Sequence, residues 1–298
     1  MNNATTRAAT VPESIPAAPK LVFVGGGQMA SALAGALIQK GWAPASRWMI
    51  EPVLAQRERL QESLGVHAIS APMQTLRDAN VVVWAVKPQV LHDAVRQTLP
   101  HLGQPLHISI AAGIRTHDIA RWLQSRRVVR VMPNTAVLVG AGVSGVVALD
   151  DVTEDDRKRV AAILAATGTS LWVESDERLD AITALSGSGP AYVFHFLESF
   201  QQAAEDLGFD AAQARALVLA TMAGAVAQAQ AGNAPFATLR QNVTSKRGTT
   251  EAALAVLDGA NTRGALGQAV QAAYRRAGEL SSDFGLALDG RVPAPASI

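Results

Sequence analysis

One change of pattern constrains this chain more than any other feature: near Asp176 the strand-like runs stop. Before it, from Lys20 to about Ser175, short β-branched runs alternate with amphipathic stretches. LVFVGGG (21–27), WMIEP (48–52), VVVWAV (81–86), LHISIAA (106–112) and VVRVMP (128–133) read as strands. Each is apolar without strict alternation, which fits strands covered on both faces. Segments 28–40, 53–64, 89–98 and 116–124 suit crossover helices, and SGVVAL (144–149) and TSLWVE (169–174) flank a helix at 153–166. Repeated β-α-β units of this kind predict a doubly wound parallel α/β sheet. After Asp176, segments 190–207, 210–231, 250–258 and 262–283 read as helices punctuated by Gly208, Gly232 and Gly259, and so as a separate all-helical domain.

The helix at 213–229 (QARALVLATMAGAVAQA) is apolar round most of its circumference. Such a helix needs cover on every side. A four-helix domain is too small to supply it, so a second copy of the chain is expected to. Composition removes several other roles. The 298 residues carry a formal net charge of +1 with no basic stripe, which argues against nucleic acid and membrane surfaces as partners. The absence of cysteine excludes disulfides, cysteine nucleophiles and thiolate metal sites. Apolar runs such as Leu217–Ala227 fall short of the roughly 20 residues a membrane span needs. Residues 1–19 lack the apolar core of a secretory signal, so they read as a disordered tail on a soluble, cytoplasmic protein.

Val24-Gly25-Gly26-Gly27-Gln28-Met29-Ala30 ends the first strand and opens the first helix. Gly25-x-Gly27-x-x-Ala30 fits the Rossmann-like dinucleotide fingerprint: a tight turn, a close approach of backbone to pyrophosphate, and a small residue where helix meets sheet. Glu51 ends the second strand, where an acidic side chain accepts hydrogen bonds from a ribose and favours NAD over NADP. Arg57 and Arg59 lie one or two turns further on, within reach of a 2′-phosphate. The residues leave NADH and NADPH both open.

Three further blocks carry local physics of their own. In Ala85-Val86-Lys87-Pro88-Gln89 the proline pushes its predecessor away from helical geometry, turning the chain out at the sheet's carboxyl edge. In Ser186-Gly187-Ser188-Gly189-Pro190-Ala191-Tyr192, Ser188 or Gly189 can cap a helix with Pro190 in its first turn. In Val243-Thr244-Ser245-Lys246-Arg247-Gly248-Thr249-Thr250, a glycine and small hydroxyls precede a helix and form a nest of N–H donors suited to a carboxylate.

Together with the glycine loop, in this order and spacing over residues 20–285, these blocks resemble the pyrroline-5-carboxylate reductase family. The resemblance implies hydride transfer from NADPH or NADH to the C=N of 1-pyrroline-5-carboxylate, giving proline. It implies that Ser245, Gly248 and Thr249 hold the substrate carboxylate and that the Thr250 hydroxyl, the catalytic group, orients the ring nitrogen. Asp176 matches an acidic position near the substrate, with Glu177 as its rival in register. Ala85, Val86, Lys87 and Pro88 would pass beside the coenzyme, Ala112 and Asn134 would flank its nicotinamide half, and Asn242 would reach it across the subunit boundary. The expected organisation is a dinucleotide-binding domain at 20–175, a helical dimerisation and substrate domain at 176–285, and a C-terminal tail at 286–298. The assembly implied is a homodimer or a ring of dimers. No metal is implied.

Three positions depart from the family pattern: Pro72, Ala136, and Arg247, which replaces a glycine. If that site needs φ > 0, Arg247 strains the loop by on the order of 1 kcal/mol, or its guanidinium adds a clamp for a carboxylate. The alternatives are a reductase of another cyclic imine, a 3-hydroxyacid dehydrogenase-like enzyme and a non-catalytic NAD(P) sensor. Residues 180–210 contain no lysine to serve an alcohol-oxidising site. His195 reads as a buried residue on an apolar helix face, and the other histidines show no ligand spacing.

Overall fold

The computed structural model describes residues 19–288. The chain divides into two compact units: residues up to Asp176 together with those from Ser281, and Glu177–Leu280. The tails expected at 1–19 and 286–298 lie outside the described residues, apart from Pro19 and residues 286–288, the last of which close a helix.

The first unit is built on eight strands: β1 (Leu21–Val24), β2 (Arg47–Ile50), β3 (His67–Ile69), β4 (Val81–Trp84), β5 (Leu106–Ser109), β6 (Val128–Pro133), β7 (Gly142–Ala148) and β8 (Gly168–Trp172). They form one sheet in the order β3-β2-β1-β4-β5-β6-β7-β8. Every pair is parallel except β6 and β7, which run antiparallel. The reason is the connection: residues 134–141 form only a short 3-10 turn between them, far too little chain for a crossover. The parallel sheet expected from the sequence therefore reverses direction once, and β7 and β8 run opposite to the other six strands. β3, only three residues long, gives no clear strand pattern in the sequence.

Crossover helices α1 (Gln28–Gln39), α2 (Leu54–Leu64), α3 (Pro88–Thr98), α4 (Thr116–Leu123) and α5 (Glu154–Leu164) supply the covering layers. β1, β4 and β5 are buried along their whole length, as their unbroken apolar runs require. Leu33 and Leu37 of α1 and Val160 and Ile163 of α5 share a cluster with Phe23, Val83 and Ile108. At about 25 cal/mol per Å² of apolar surface removed from water, this cluster dominates the unit's stability. α5 starts at a reciprocal cap between Thr153 and Asp156, and Asp156 also receives the Arg127 guanidinium at 2.6 and 2.7 Å.

The second unit is helical: α6 (Asp176–Ile182), whose first residue belongs to the sheet unit, α7 (Gly189–Asp206), α8 (Ala211–Gln230), α9 (Phe236–Asn242), α10 (Thr249–Gly259) and α11 (Thr262–Leu288), which returns to the sheet unit at Ser281. α8 begins on a capping box of Asp210 and Gln213. Only Ala214 and Val218 of α8 are buried within the chain, and Leu217, Leu219 and Val226 remain exposed. His195, expected to be buried, likewise lies on a face of α7 that is exposed in the single chain. Among the described residues no helix is long and apolar enough to cross a membrane.

Candidate active site

In the strand order, β1 is flanked by β2 on one side and β4 on the other, so the connections leave β1 and β4 in opposite directions along the sheet. Such a switch point opens a crevice at the carboxyl ends of the strands. Two turns line it: Gly25–Gly27 after β1 and Ala85–Lys87 after β4.

They fit closely. Gly25 has φ +100°, and a Cβ there would stand 2.7 Å from the Ala85 carbonyl oxygen and 2.9 Å from Val86 Cγ1. Only glycine meets both demands. Gly25 N–H donates to the Ile50 carbonyl and Ala85 N–H to that of Val24, at 2.9 and 2.8 Å. Val24, Gly25 and Gly26 are buried, whereas Gly27 and Gln28 are exposed and Met29 is half-buried. A Cβ at Gly27 would meet nothing within 4 Å, so open space lies against the start of α1, which has no side-chain cap. The donors of this first turn thus face room for an anion. A dinucleotide's pyrophosphate fits that cradle on chemistry and space alike. Lys87 is exposed at the N-cap of α3 with Pro88 at its first position.

Glu51 turns towards the same turn. Its carboxylate accepts Gly26 N–H at 3.0 Å and Val53 N–H at 2.9 Å, and Gln56 donates to the Gly26 carbonyl at 2.5 Å. Sequence reasoning misses Gln56, because an amide on a polar helix gives no signal of its own. Further along the edge, Ala112 is exposed on the loop after β5. Asn134 sits after β6 but is buried, its Oδ1 accepting Val143 N–H at 3.1 Å. That bond braces the β6–β7 connection.

Asp176, expected near the substrate, is buried inside the sheet unit, where its Oδ1 accepts from Arg130 at 2.6 Å. Its Oδ2 accepts from the Thr116 N–H at 3.0 Å and the Thr116 hydroxyl at 2.7 Å. Burial pushes its carboxyl up, but the Arg130 charge and the bonds from Arg130 and Thr116 prevail, holding it below the ordinary aspartate value. Three donors thus hold this carboxylate in a buried clasp. The signal was legible in VVRVMP, since a charge within a buried run demands a buried partner.

In the helical unit the structure revises one block and realises another. In SGSGPAY, Ser188 is the N-cap of α7 with Pro190 in its first turn, as expected, but its side chain makes no capping hydrogen bond. Residues Thr183–Gly187 form a π turn, with Ser188 N–H donating to the Thr183 carbonyl at 2.8 Å, and α7 follows almost directly. Tyr192 donates its hydroxyl to the Ala184 carbonyl at 3.1 Å. π turns of this kind recur at functional sites.

TSKRGTT does open a helix. Gly248 is the N-cap of α10 and offers no side chain to the first-turn amides. A Cβ on Gly248 would fall 2.2 Å from Ser245 Oγ and 3.0 Å from the Ser245 carbonyl oxygen, so the turn at Ser245 packs closely against the helix start. Arg247 has φ +59°, so the strain anticipated from its departure is present. Its N–H donates to Glu251 Oε2 at 2.6 Å, a bond that reaches back over the helix start. Ser245 and Thr249 are exposed and Thr250 is half-buried. Asn242 is the exposed last residue of α9.

Residues 176–280 match the family profile described as pyrroline-5-carboxylate reductase dimerisation, and residues 20–113 match that of the coenzyme F420-dependent NADP oxidoreductases. A curated pyrroline-5-carboxylate reductase of Pseudomonas aeruginosa is 36% identical over 269 residues, 90% of this chain and 98% of the relative. That of Pasteurella multocida is 38% identical over 275 residues, 90% and 99% of the two chains. Among solved structures, the reductase of Coxiella burnetii superposes with a TM-score of 0.83 at 38% identity, covering 89% of this chain and 99% of the other. The Plasmodium falciparum enzyme with NADP bound gives 0.80 at 28% identity, covering 89% and 99%.

Proposed function

The chain belongs to the pyrroline-5-carboxylate reductase family, and from that premise we propose that it reduces 1-pyrroline-5-carboxylate to proline with NADPH or NADH. The bound nicotinamide would supply a hydride to the imine carbon. The protein's part is to hold, orient and polarise. Gly25, Gly26 and Gly27 shape the turn that receives the pyrophosphate, with Gln28 and Met29 opening the helix whose amides face it. Ala85, Val86, Lys87 and Pro88 form the opposite wall, and Ala112 lies exposed at the same edge.

At the other end of the reaction, the open first turn of α10 receives the substrate carboxylate through the amides around Gly248 and Thr249, with Ser245 beside them. The Thr250 hydroxyl then orients the ring nitrogen. A hydroxyl is too weak an acid to be the net proton source, so it fixes the nitrogen and relays a proton from water. Preorganised donors at a carboxylate and a fixed ring are worth most when the reacting atoms are held close. Asn242 is assigned a coenzyme contact from a second subunit.

The observation that carries this reading is the uncapped helix start at Gly248: an anion receptor in a chain that also keeps the glycine turn. We assign residues 20–175 to coenzyme binding and 176–285 to dimerisation and substrate. The chain assembles as a homodimer, or as a ring of such dimers, supported by the exposed apolar faces of α7 and α8; the cytoplasm is the proposed location. Oxidation of the reduced coenzyme on adding pyrroline-5-carboxylate to the purified protein, with proline as the product, tests the assignment. Coenzyme binding without imine-dependent oxidation would defeat it.

A further inference from the structure

The end of β2 holds a charge arrangement that bears on which coenzyme enters. Glu51 is fixed at both carboxylate oxygens, Oε2 by Gly26 N–H at 3.0 Å and Oε1 by Val53 N–H at 2.9 Å. Gln56 braces the same Gly26 peptide from its carbonyl side. Arg57, the first cation after Glu51, points back into the loop. Its Nη1 donates to the carbonyls of Glu51 and Pro52 at 2.8 and 2.7 Å. Arg59 is exposed on α2.

From this geometry we propose that Glu51 selects NADH against NADPH, a preference that rests on the sheet unit binding a nicotinamide coenzyme. A carboxylate at the end of β2 accepts hydrogen bonds from ribose hydroxyls. A 2′-phosphate instead brings about −1.5 to −2 charges towards the same oxygens. Glu51 cannot swing aside without surrendering both backbone N–H bonds and leaving the Gly26 amide, which is buried, without its acceptor. Arg57 cannot turn to neutralise the phosphate without abandoning the two carbonyls that shape the loop. The discrimination therefore lies in a braced loop, and a lone flexible acid would give much less of it.

The test is equilibrium titration of the full-length protein with NADH and with NADPH, following nicotinamide fluorescence in the absence of imine. NADH is expected to bind about tenfold more tightly or better, the scale of one charge-assisted hydrogen bond exchanged for a repulsion. Glu51→Gln keeps the length and one acceptor while removing the charge, and Glu51→Ser removes the side chain's reach. Both variants should bring the two affinities within about threefold of each other, with Glu51→Gln doing so by tightening NADPH. A wild-type protein that binds NADPH as well as NADH overturns the proposal. So do variants that weaken both coenzymes equally, since Glu51 would then be a brace and nothing more. Selective NADH binding in a protein that leaves the imine unreduced would uphold this inference and defeat the substrate assignment alone.

Discussion

The sheet unit and the helical unit treat apolar surface in opposite ways. Leu21, Val22 and Phe23 of β1 are wholly buried by helices of their own chain. In the helical unit Phe194 is 64% exposed and Val226 52%. One unit closes its core with its own sequence, and the other presents half a core. The sheet unit is thus covered within a single chain, whereas the helical unit leaves its apolar faces for a second copy to cover. Substitutions can attack that contrast at several points.

The hardest blow would be Leu219→Asp combined with Met222→Asp on α8. Burying an apolar side chain of this size contributes roughly 1.5–3 kcal/mol, and a charge in its place has no partner there. Assembly and activity are expected to vanish together, read by sedimentation and by imine reduction. A folded monomer with full activity would end the idea of a borrowed core. Asp176→Ala strikes the self-sufficient unit instead. Removing the buried carboxylate that pairs with Arg130 and accepts from Thr116 should cost about 3–5 kcal/mol in urea unfolding, against a domain's total of roughly 5–15 kcal/mol.

The clasp also fixes the sign of an acid effect. Because the folded-state pKa of Asp176 is lowered, its contribution is present above the unfolded value of about 3.9 and is lost as pH falls through the folded one. The variant should therefore lose less stability than the wild type on acidification; an equal loss would mean the clasp does not couple to protons.

Thr250→Val probes the helical unit without touching its surface. Turnover is expected to fall about 10- to 100-fold, with coenzyme affinity and sedimentation unchanged. Wild-type turnover would remove Thr250 from the mechanism. The smallest effect belongs to Arg247→Gly. Relieving a positive φ gains on the order of 1 kcal/mol, and the freer unfolded chain takes part of it back. Thermal unfolding should therefore rise by a few degrees at most; a fall would show that the arginine side chain stabilises the turn it strains.

The same contrast governs how much could be read from the sequence. The sheet was legible because buried parallel strands write themselves as apolar runs, and the glycine turn because packing against Ala85 leaves no room for a Cβ. The reversal of β7 and β8 was not, since strand direction depends on what the connecting residues can span. Arg247 announced its strain through its place in the turn. The surroundings of Asp176 and His195 were harder to read, because they depend on tertiary neighbours: Arg130 announces that it needs a buried partner without saying which carboxylate supplies it, and the exposed face of α7 is not marked in local pattern. The π turn at Thr183–Gly187 escaped because Ser-Gly-Ser-Gly-Pro reads equally well as a cap.

The path of the chain between the two units has a consequence for how the protein is made. It leaves the sheet unit after Asp176 and re-enters it at Ser281, where Ser281 and Phe284 are buried. Domains usually fold in order as they emerge from the ribosome, the N-terminal one first. Here the strands are all synthesised early, but the unit they belong to stays incomplete until the last stretch of α11 appears. A nascent chain stopped at Leu280 would contain every helix start of the second unit and every strand of the first, yet lack buried Phe284. Late truncation should therefore be felt in the half of the protein that was translated first.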